Sequence, residues 1–277
     1  MKVVASTQIL GDVVAVIGGE HIELSVLIPP DSDPHAFEPT PQDAARLADA
    51  DLVFVNGLGL EEALQPLLES EGLNSITVSE GIAPIAAEPE DHDETQEEHA
   101  HEAADPHVWM NPLNVQVWAA NIATALAAAD PPHATAYRAN AAAYQAELAA
   151  LDTWALEQIA KLPVADRILV TDHESFGYFA DHYGFKLVGA IIPSLSTVSE
   201  PSAGEVAQLE DAIRQFGVKA IFVSAGMNPA LAERVATDTG IFLVPLYVES
   251  PSADDGPAPT YLDLIRYDVL AIVNALQ

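Results

Sequence analysis

Three of the nine histidines stand in closely similar sequence contexts. His35 and His107 each end the tripeptide DPH, and His173 ends TDH. Each follows an aspartate at a point where a strand is expected to pass into a loop or helix, and open α/β folds place ligand-binding groups at such points. Neutral imidazoles suit borderline cations such as Zn²⁺. Together the three predict a metal site, although each tripeptide alone is also typical of a turn in which the aspartate bonds locally.

A fourth ligand has to be an oxygen or nitrogen donor, because the chain contains no cysteine. An anionic oxygen would complete a tetrahedral shell and reduce its net charge. The segment PLYVESPSADDGP offers Glu249, Asp254 and Asp255. The successive intervals along the chain are 72 residues from His35 to His107, 66 to His173 and 76 to Glu249. These intervals are much longer than the local spacing of zinc-finger ligands. The predicted site therefore depends on long-range folding.

The composition excludes several classes of partner. Ten basic against 42 acidic residues give a formal net charge of -32, which repels phosphate backbones and attracts cations. Nucleic acid is therefore not expected as a partner. No run of 18 apolar residues occurs, so no membrane-spanning helix is expected. The start, MKVVASTQILGDVV, reads as a strand and turn, which indicates either a cytoplasmic protein or a mature form whose export signal has been removed.

Short apolar runs alternate with helical patterns along the chain, which favours βαβ units and parallel sheets. The two halves also resemble each other: LIPPDSDPHAFEPTPQD and AIIPSLSTVSEPSAGE both read strand, proline loop, Glu-Pro and helix. This repetition predicts two similar α/β lobes with a ligand cleft between them. We expect an N-terminal lobe over 1–130, a long linking helix over 131–163 and a C-terminal lobe over 164–277.

Five motifs resemble the metal-specific substrate-binding proteins of bacterial ABC importers, the cluster A-I family, and in particular its zinc-binding members. The motifs are DPHAFEPTPQD, DPHVWMNP, HESFGYFADHYGF, IIPSLSTVSEPSAGE and YVESPSADDGPAPTYLDLIRYDV. The resemblance implies pseudo-symmetric lobes joined by one long helix and a metal in the cleft. It also implies a monomeric periplasmic or otherwise extracytoplasmic protein that delivers Zn²⁺ to a membrane permease and has no enzymatic activity.

The resemblance also bears on individual ligands. Zinc members carry a histidine at the position of His173, whereas manganese members carry a glutamate there. The fourth ligand in relatives is an aspartate in a motif like YTDSL, which aligns with Glu249 in YVESP. Glutamate is one methylene longer, so Asp254 and Asp255 remain alternatives. Asp33, Asp105 and Asp172 are expected to orient the imidazole rings or to cap turns.

An acidic segment over 88–105 contains nine carboxylates and His92, His99 and His101. Zinc members of the resembled family often carry such an insert before the second histidine. Because it lacks hydrophobic periodicity, it cannot bury a core. We interpret it as an accessory low-affinity collector of zinc or as a dock for a periplasmic zinc metallochaperone, and the alternative is a tolerated solvated loop.

Two other functions remain open from the sequence. One is capture of manganese or iron on the same fold. The other is a zinc hydrolase, in which three histidines hold the metal and Glu174 or Asp172 acts as a general base. Neither HExxH nor GxSxG occurs, which disfavours the hydrolase.

Overall fold

The computed structural model of the protein describes residues 1–70, 75–85, 104–226 and 228–277. Two four-stranded parallel sheets form its framework, with strand orders β2-β1-β3-β4 and β6-β5-β7-β8. The strands are β1 Lys2–Ala5, β2 Glu23–Val26, β3 Leu52–Val55, β4 Ser75–Thr77, β5 Ile168–His173, β6 Lys186–Ile192, β7 Ala220–Ser224 and β8 Phe242–Leu246. The shared order confirms the predicted pair of similar α/β lobes, which we name the N-terminal and C-terminal lobes after these sheets.

Nine α-helices connect and cover the sheets in the described part of the chain. They are α1 Gln8–Gly18, α2 Pro41–Ala48, α3 Gln65–Ser70, α4 Pro112–Ala129, α5 Ala134–Ile159, α6 Gly177–Tyr183, α7 Ala203–Phe216, α8 Ala230–Thr239 and α9 Tyr261–Leu276. None of these described helices is both long and apolar enough to cross a membrane.

The repeated Glu-Pro dipeptides each introduce a capped helix. In the N-terminal lobe Thr40 and Asp43 form a capping box at the start of α2. In the C-terminal lobe Ser202 and Glu205 form the same arrangement at the start of α7. Each box satisfies two backbone N–H groups that have no partner within the helix. The same capping arrangement therefore ends both proline loops at the first turn of a helix.

The predicted long helix is confirmed as α5, which has 26 residues and is about 39 Å long. It is shorter than the predicted 131–163, because Pro131–His133 form a separate 3₁₀ turn and Pro163 follows the helix end. Proline has no backbone N–H and cannot continue a helix. The division of the chain into domains at residues 130 and 163 stays a prediction.

Three apolar clusters form the core of the described part of the chain. One covers the outer face of the first sheet under α2 and α3, and a second covers the outer face of the second sheet under α7 and α8. The third is the largest and contains residues of both sheets together with α1, α4, α5, α6 and α9. Adjacent residues alternate between clusters, as a strand requires: Leu169 belongs to the shared cluster and Val170 to the outer one. A common core therefore fixes the two lobes against each other.

Candidate metal centre

The four predicted ligands lie beyond the carboxyl ends of four different strands. His35 lies in the loop between β2 and α2, and His107 lies between β4 and α4. His173 is the last residue of β5, and Glu249 follows β8. Parallel strands present their carboxyl ends at the same edge of a sheet, and the edges of the two sheets face each other here. Each lobe thus contributes two side chains to the cleft.

The side chains converge closely. One nitrogen or oxygen atom of each of the four residues lies within 4.8 Å of the corresponding atom of every other. His107 Nε2 lies 3.2 Å from His35 Nε2 and 3.3 Å from His173 Nε2. Glu249 Oε1 lies 3.1 Å from His173 Nε2 and 3.7 Å from His107 Nε2. Three imidazole nitrogens and a carboxylate oxygen match the donor set and number that a tetrahedral zinc site uses.

Aspartates hold two of the three rings. Asp105 Oδ1 lies 2.8 Å from His107 Nδ1 and accepts a hydrogen bond from the His107 backbone N–H. Asp172 Oδ1 lies 2.9 Å from His173 Nδ1, and Asp172 Oδ2 accepts a 2.6 Å hydrogen bond from Ser224 N–H. A carboxylate on Nδ1 fixes the ring and directs Nε2 toward the metal position. The prediction that these aspartates orient the rings agrees with this geometry.

Asp33 acts differently from the other two aspartates. Its Oδ1 accepts a 2.9 Å hydrogen bond from the His35 backbone N–H, and its Oδ2 accepts a hydrogen bond from Thr197 Oγ1 of the opposite lobe. Within the described residues no carboxylate bonds the His35 ring at Nδ1. Asp33 therefore fixes the backbone of the loop and not the imidazole.

Glu249 is buried, with 7% of its surface exposed. Burial opposes its ionisation, but the contact with His173 and the charges of the three imidazoles hold the pKa of Glu249 below its ordinary value. Among the described residues neither carboxylate oxygen makes a well-directed hydrogen bond. A buried, ionised carboxylate needs a cation nearby, a place that a protonated His173 or a bound metal ion would fill. These features fit a metal-binding position.

The histidines differ in their affinity for protons. Burial lowers the pKa of His35 to about 4. His173 is also buried, yet Asp172 and Glu249 overcome the cost of desolvation and raise the pKa of His173 to about 10. These opposite shifts favour a protonated His173 and a neutral His35 at neutral pH.

The alternative fourth ligands lie elsewhere. Asp254 and Asp255 are exposed on the turn after Pro251, which is closed by a hydrogen bond from Gly256 N–H to the Ala253 carbonyl. This turn directs them to the surface, and neither belongs to the cluster of four. The accessory histidines His92, His99 and His101, and nearly all of the acidic segment, lie outside the described residues.

Trp109 and Thr197 support the site but were not predicted from the sequence. The Trp109 indole packs edge-on against His107, with ring centroids 5.3 Å apart. Its Nε1–H donates a 2.8 Å hydrogen bond to the Val248 carbonyl, next to Glu249. This buried bond connects the two loops that follow β4 and β8. The DPHVWMNP motif included Trp109, but nothing in it indicated a partner 139 residues away.

Comparison with known proteins establishes the family. Residues 3–275 match the family described as "Zinc-uptake complex component A periplasmic". The chain belongs to this zinc-uptake component A family. The family-level resemblance that the five motifs predicted is thereby confirmed.

Relatives of the zinc-uptake component A family are named for different metals. The manganese-binding lipoprotein MntA of Halalkalibacterium halodurans is 32% identical over all of this chain and 89% of the relative. The iron-binding protein YfeA of Yersinia pestis is 32% identical over 99% of this chain and 85% of the relative. The solved structure of the periplasmic zinc-binding protein TroA from Treponema pallidum has a TM-score of 0.89 and 26% identity, and the match covers 99% of this chain and 98% of that one. The family and these relatives therefore support a metal site but do not agree on its metal.

Proposed function

We propose that this protein captures Zn²⁺ outside the cytoplasmic membrane and delivers it to the membrane permease of an ABC transporter. The observation that carries the proposal is the convergence of His35, His107, His173 and Glu249 on one point of the cleft. Three nitrogen donors and one carboxylate suit zinc, whereas manganese tolerates sites richer in oxygen donors. The periplasmic description of the family and the lipoprotein names of relatives support an extracytoplasmic location.

Manganese or iron capture is the second candidate, because MntA and YfeA are named for these metals. His173 argues against it, since the resembled manganese proteins carry a glutamate at that position. The zinc metallochaperone dock and the monomeric state are further expectations of the same proposal.

We also infer that the protein is not an enzyme. In a zinc hydrolase three histidines hold the metal, a water takes the open position and a carboxylate acts as the base. Here Glu249 lies where that water would bind, 3.1 Å from His173 Nε2. Asp172, one candidate base, already bonds His173 and the Ser224 backbone. The named relatives are binding proteins.

Competition between metals tests the proposal. The metal-free protein is titrated with Zn²⁺ and Mn²⁺ in the presence of chelators of defined affinity. We expect Zn²⁺ to bind at least roughly a hundredfold more tightly, as its preference for nitrogen ligands implies. Tighter binding of Mn²⁺ would overturn the zinc proposal and favour the second candidate.

A matched pair of variants tests whether the residue at position 173 determines the preference for zinc over manganese. His173→Glu replaces a buried nitrogen donor by a carboxylate and should shift the Zn²⁺/Mn²⁺ affinity ratio toward manganese. His133→Glu is the control, because its side chain is 46% exposed and its Nδ1 lies against Asp130. An equal shift in both variants would show that net charge and not ligand type governs the selectivity.

A further inference from the structure

A hydrogen bond crosses the cleft beside the metal centre. Thr197 Oγ1, in the loop between β6 and α7, donates to Asp33 Oδ2 in the loop between β2 and α2. The other carboxylate oxygen, Asp33 Oδ1, accepts the backbone N–H of His35 at 2.9 Å. A hydroxyl of the C-terminal lobe is therefore connected through one carboxylate to the backbone of a proposed ligand of the N-terminal lobe.

The two loops correspond to each other in the internal repeat. His35 stands three residues before Glu38-Pro39, and Thr197 stands three residues before Glu200-Pro201. Each loop leaves the second strand of its lobe and enters a helix with a capping box. Equivalent loops thus meet across the cleft, one with an imidazole and the other with a hydroxyl.

The same loop passes close to the C-terminal lobe at a second point. Asp31 adopts a left-handed backbone conformation with φ 57°. A Cβ placed on Gly226, in the turn after β7, would lie 3.5 Å from Asp31 Cβ and 3.6 Å from the Asp31 carbonyl oxygen. The loop that carries His35 therefore approaches the C-terminal lobe beside Gly226 as well as at the Thr197–Asp33 hydrogen bond.

His35 depends on its loop more than the other ligands do. It is partly exposed, whereas His107, His173 and Glu249 are buried. His107 and His173 each have an aspartate at ring Nδ1. Because His35 has no such aspartate in the described part of the chain, the position of its ring follows that of the loop backbone.

We propose that Thr197 is a positioning residue for metal retention. By holding Asp33 across the cleft, it keeps His35 at the metal and slows the release of the ion. This inference rests on the proposed metal-capture function and names the contact that limits release. Opening of the His35 loop requires the loss of the Thr197–Asp33 hydrogen bond, and the metal then leaves on the exposed side of the cleft.

Metal release from defined variants tests this role. Zn²⁺-loaded full-length protein is mixed with excess chelator, and the release rate is read where it no longer depends on chelator concentration. Thr197→Val replaces the hydroxyl by a methyl group of similar shape, and we expect release roughly five- to tenfold faster, as loss of one hydrogen bond to a charged group implies. Thr197→Ser keeps the hydroxyl and should restore slow release.

The matched control is Ser199→Ala in the same loop, where the hydroxyl donates to Ser194 Oγ within its own lobe at 3.1 Å. It should release metal at the wild-type rate. Asp33→Ala removes the other partner of the Thr197–Asp33 bond, so it should accelerate release, and its effect should not add to that of Thr197→Val. If Thr197→Val lowers the melting temperature of the metal-free protein, the release rate of Asp33→Ala tests the role of the bond in its place.

A His35→Ala background separates positioning from general stability. If Thr197 acts through His35, adding Thr197→Val to His35→Ala leaves the release rate unchanged. Equal acceleration in both backgrounds, or wild-type release in Thr197→Val, would overturn the positioning role alone. A wild-type protein that retains no metal, or a His35→Ala variant with wild-type release, would overturn the proposed ligand set as well.

Discussion

The cleft has a fully buried half and a partly exposed half. The buried half contains His107, His173 and Glu249, whose exposed fractions are 0%, 0% and 7%. Aspartates hold its two rings, and the Trp109–Val248 hydrogen bond ties its two outer loops together. The partly exposed half is His35, whose loop is held to the opposite lobe by the Thr197–Asp33 hydrogen bond. Three of the four candidate ligands are therefore fixed by buried contacts, whereas the position of the fourth follows that of its loop.

Removal of a ligand from each half gives the largest expected contrast. His107→Ala should weaken zinc binding roughly a hundred- to a thousandfold, since a structural zinc site is worth about 10–16 kcal/mol over four ligands. It also leaves buried Asp105 without the imidazole that it bonds. His35→Ala should cost only about ten- to thirtyfold, because water reaches the exposed position and substitutes for the ring. Calorimetry with competing chelators measures both.

His133→Ala is the control for these two variants, because this exposed histidine bonds Asp130 and lies outside the cluster of four. Equal losses in His107→Ala and His35→Ala would remove the distinction between the two halves.

Neutralising one supporting carboxylate should give the next-largest loss of zinc affinity. Asp172→Asn should weaken zinc binding roughly ten- to a hundredfold, the usual cost of losing a group that orients a ligating histidine. Asp33→Asn should affect equilibrium affinity less, because Asp33 bonds the backbone of His35 and not its ring. The same titrations report both, and a larger loss in Asp33→Asn would contradict the assigned roles.

The pH dependence of zinc affinity should be determined by His173, in the buried half of the cleft. In the metal-free protein the pKa of His173 is about 10 and that of His35 is about 4. Zinc must displace the proton from His173, so affinity should fall as pH falls, by up to about tenfold per pH unit around neutrality. Titrations in buffers of different ionisation enthalpy count the released proton.

Substitution of each histidine sharpens the pH test. His173→Ala should flatten the pH dependence, and His35→Ala should leave its slope unchanged above about pH 5. A flat profile in the wild-type protein would show that His173 is not protonated in the open cleft.

Loss of the Trp109 hydrogen bond is expected to have the smallest effect on binding. Trp109→Phe keeps an aromatic ring beside His107 but leaves the buried Val248 carbonyl without its donor. We expect about a threefold loss of affinity and a free energy of unfolding lower by about 1–3 kcal/mol. Urea denaturation measures the second quantity. Trp154→Phe on the long helix, a partly buried side chain, is the control.

The three candidate histidine ligands could be named from the sequence because each stands in a short motif, whereas the fourth position was left open between Glu249, Asp254 and Asp255. The tripeptides DPH and TDH place a histidine directly after a strand or proline turn. The repeated Glu-Pro loops predicted the two similar lobes. The packing of α9 was less accessible: its sequence belongs to the C-terminal half, yet it packs against α5 in the shared core. Apolar periodicity shows that a helix buries one face, but not which partner covers that face.

The sequence by itself determined the donor chemistry. Without cysteine only nitrogen and oxygen ligands are available, and the repeated loops and capping residues follow from local backbone preferences. Only the tertiary structure decided which donors converge: Glu249 joins the three histidines, whereas Asp254 and Asp255 stay on a surface turn. It alone brought Thr197 to Asp33, 164 residues away. Side-chain chemistry is local, but convergence depends on how two sheet edges are held together by a common core.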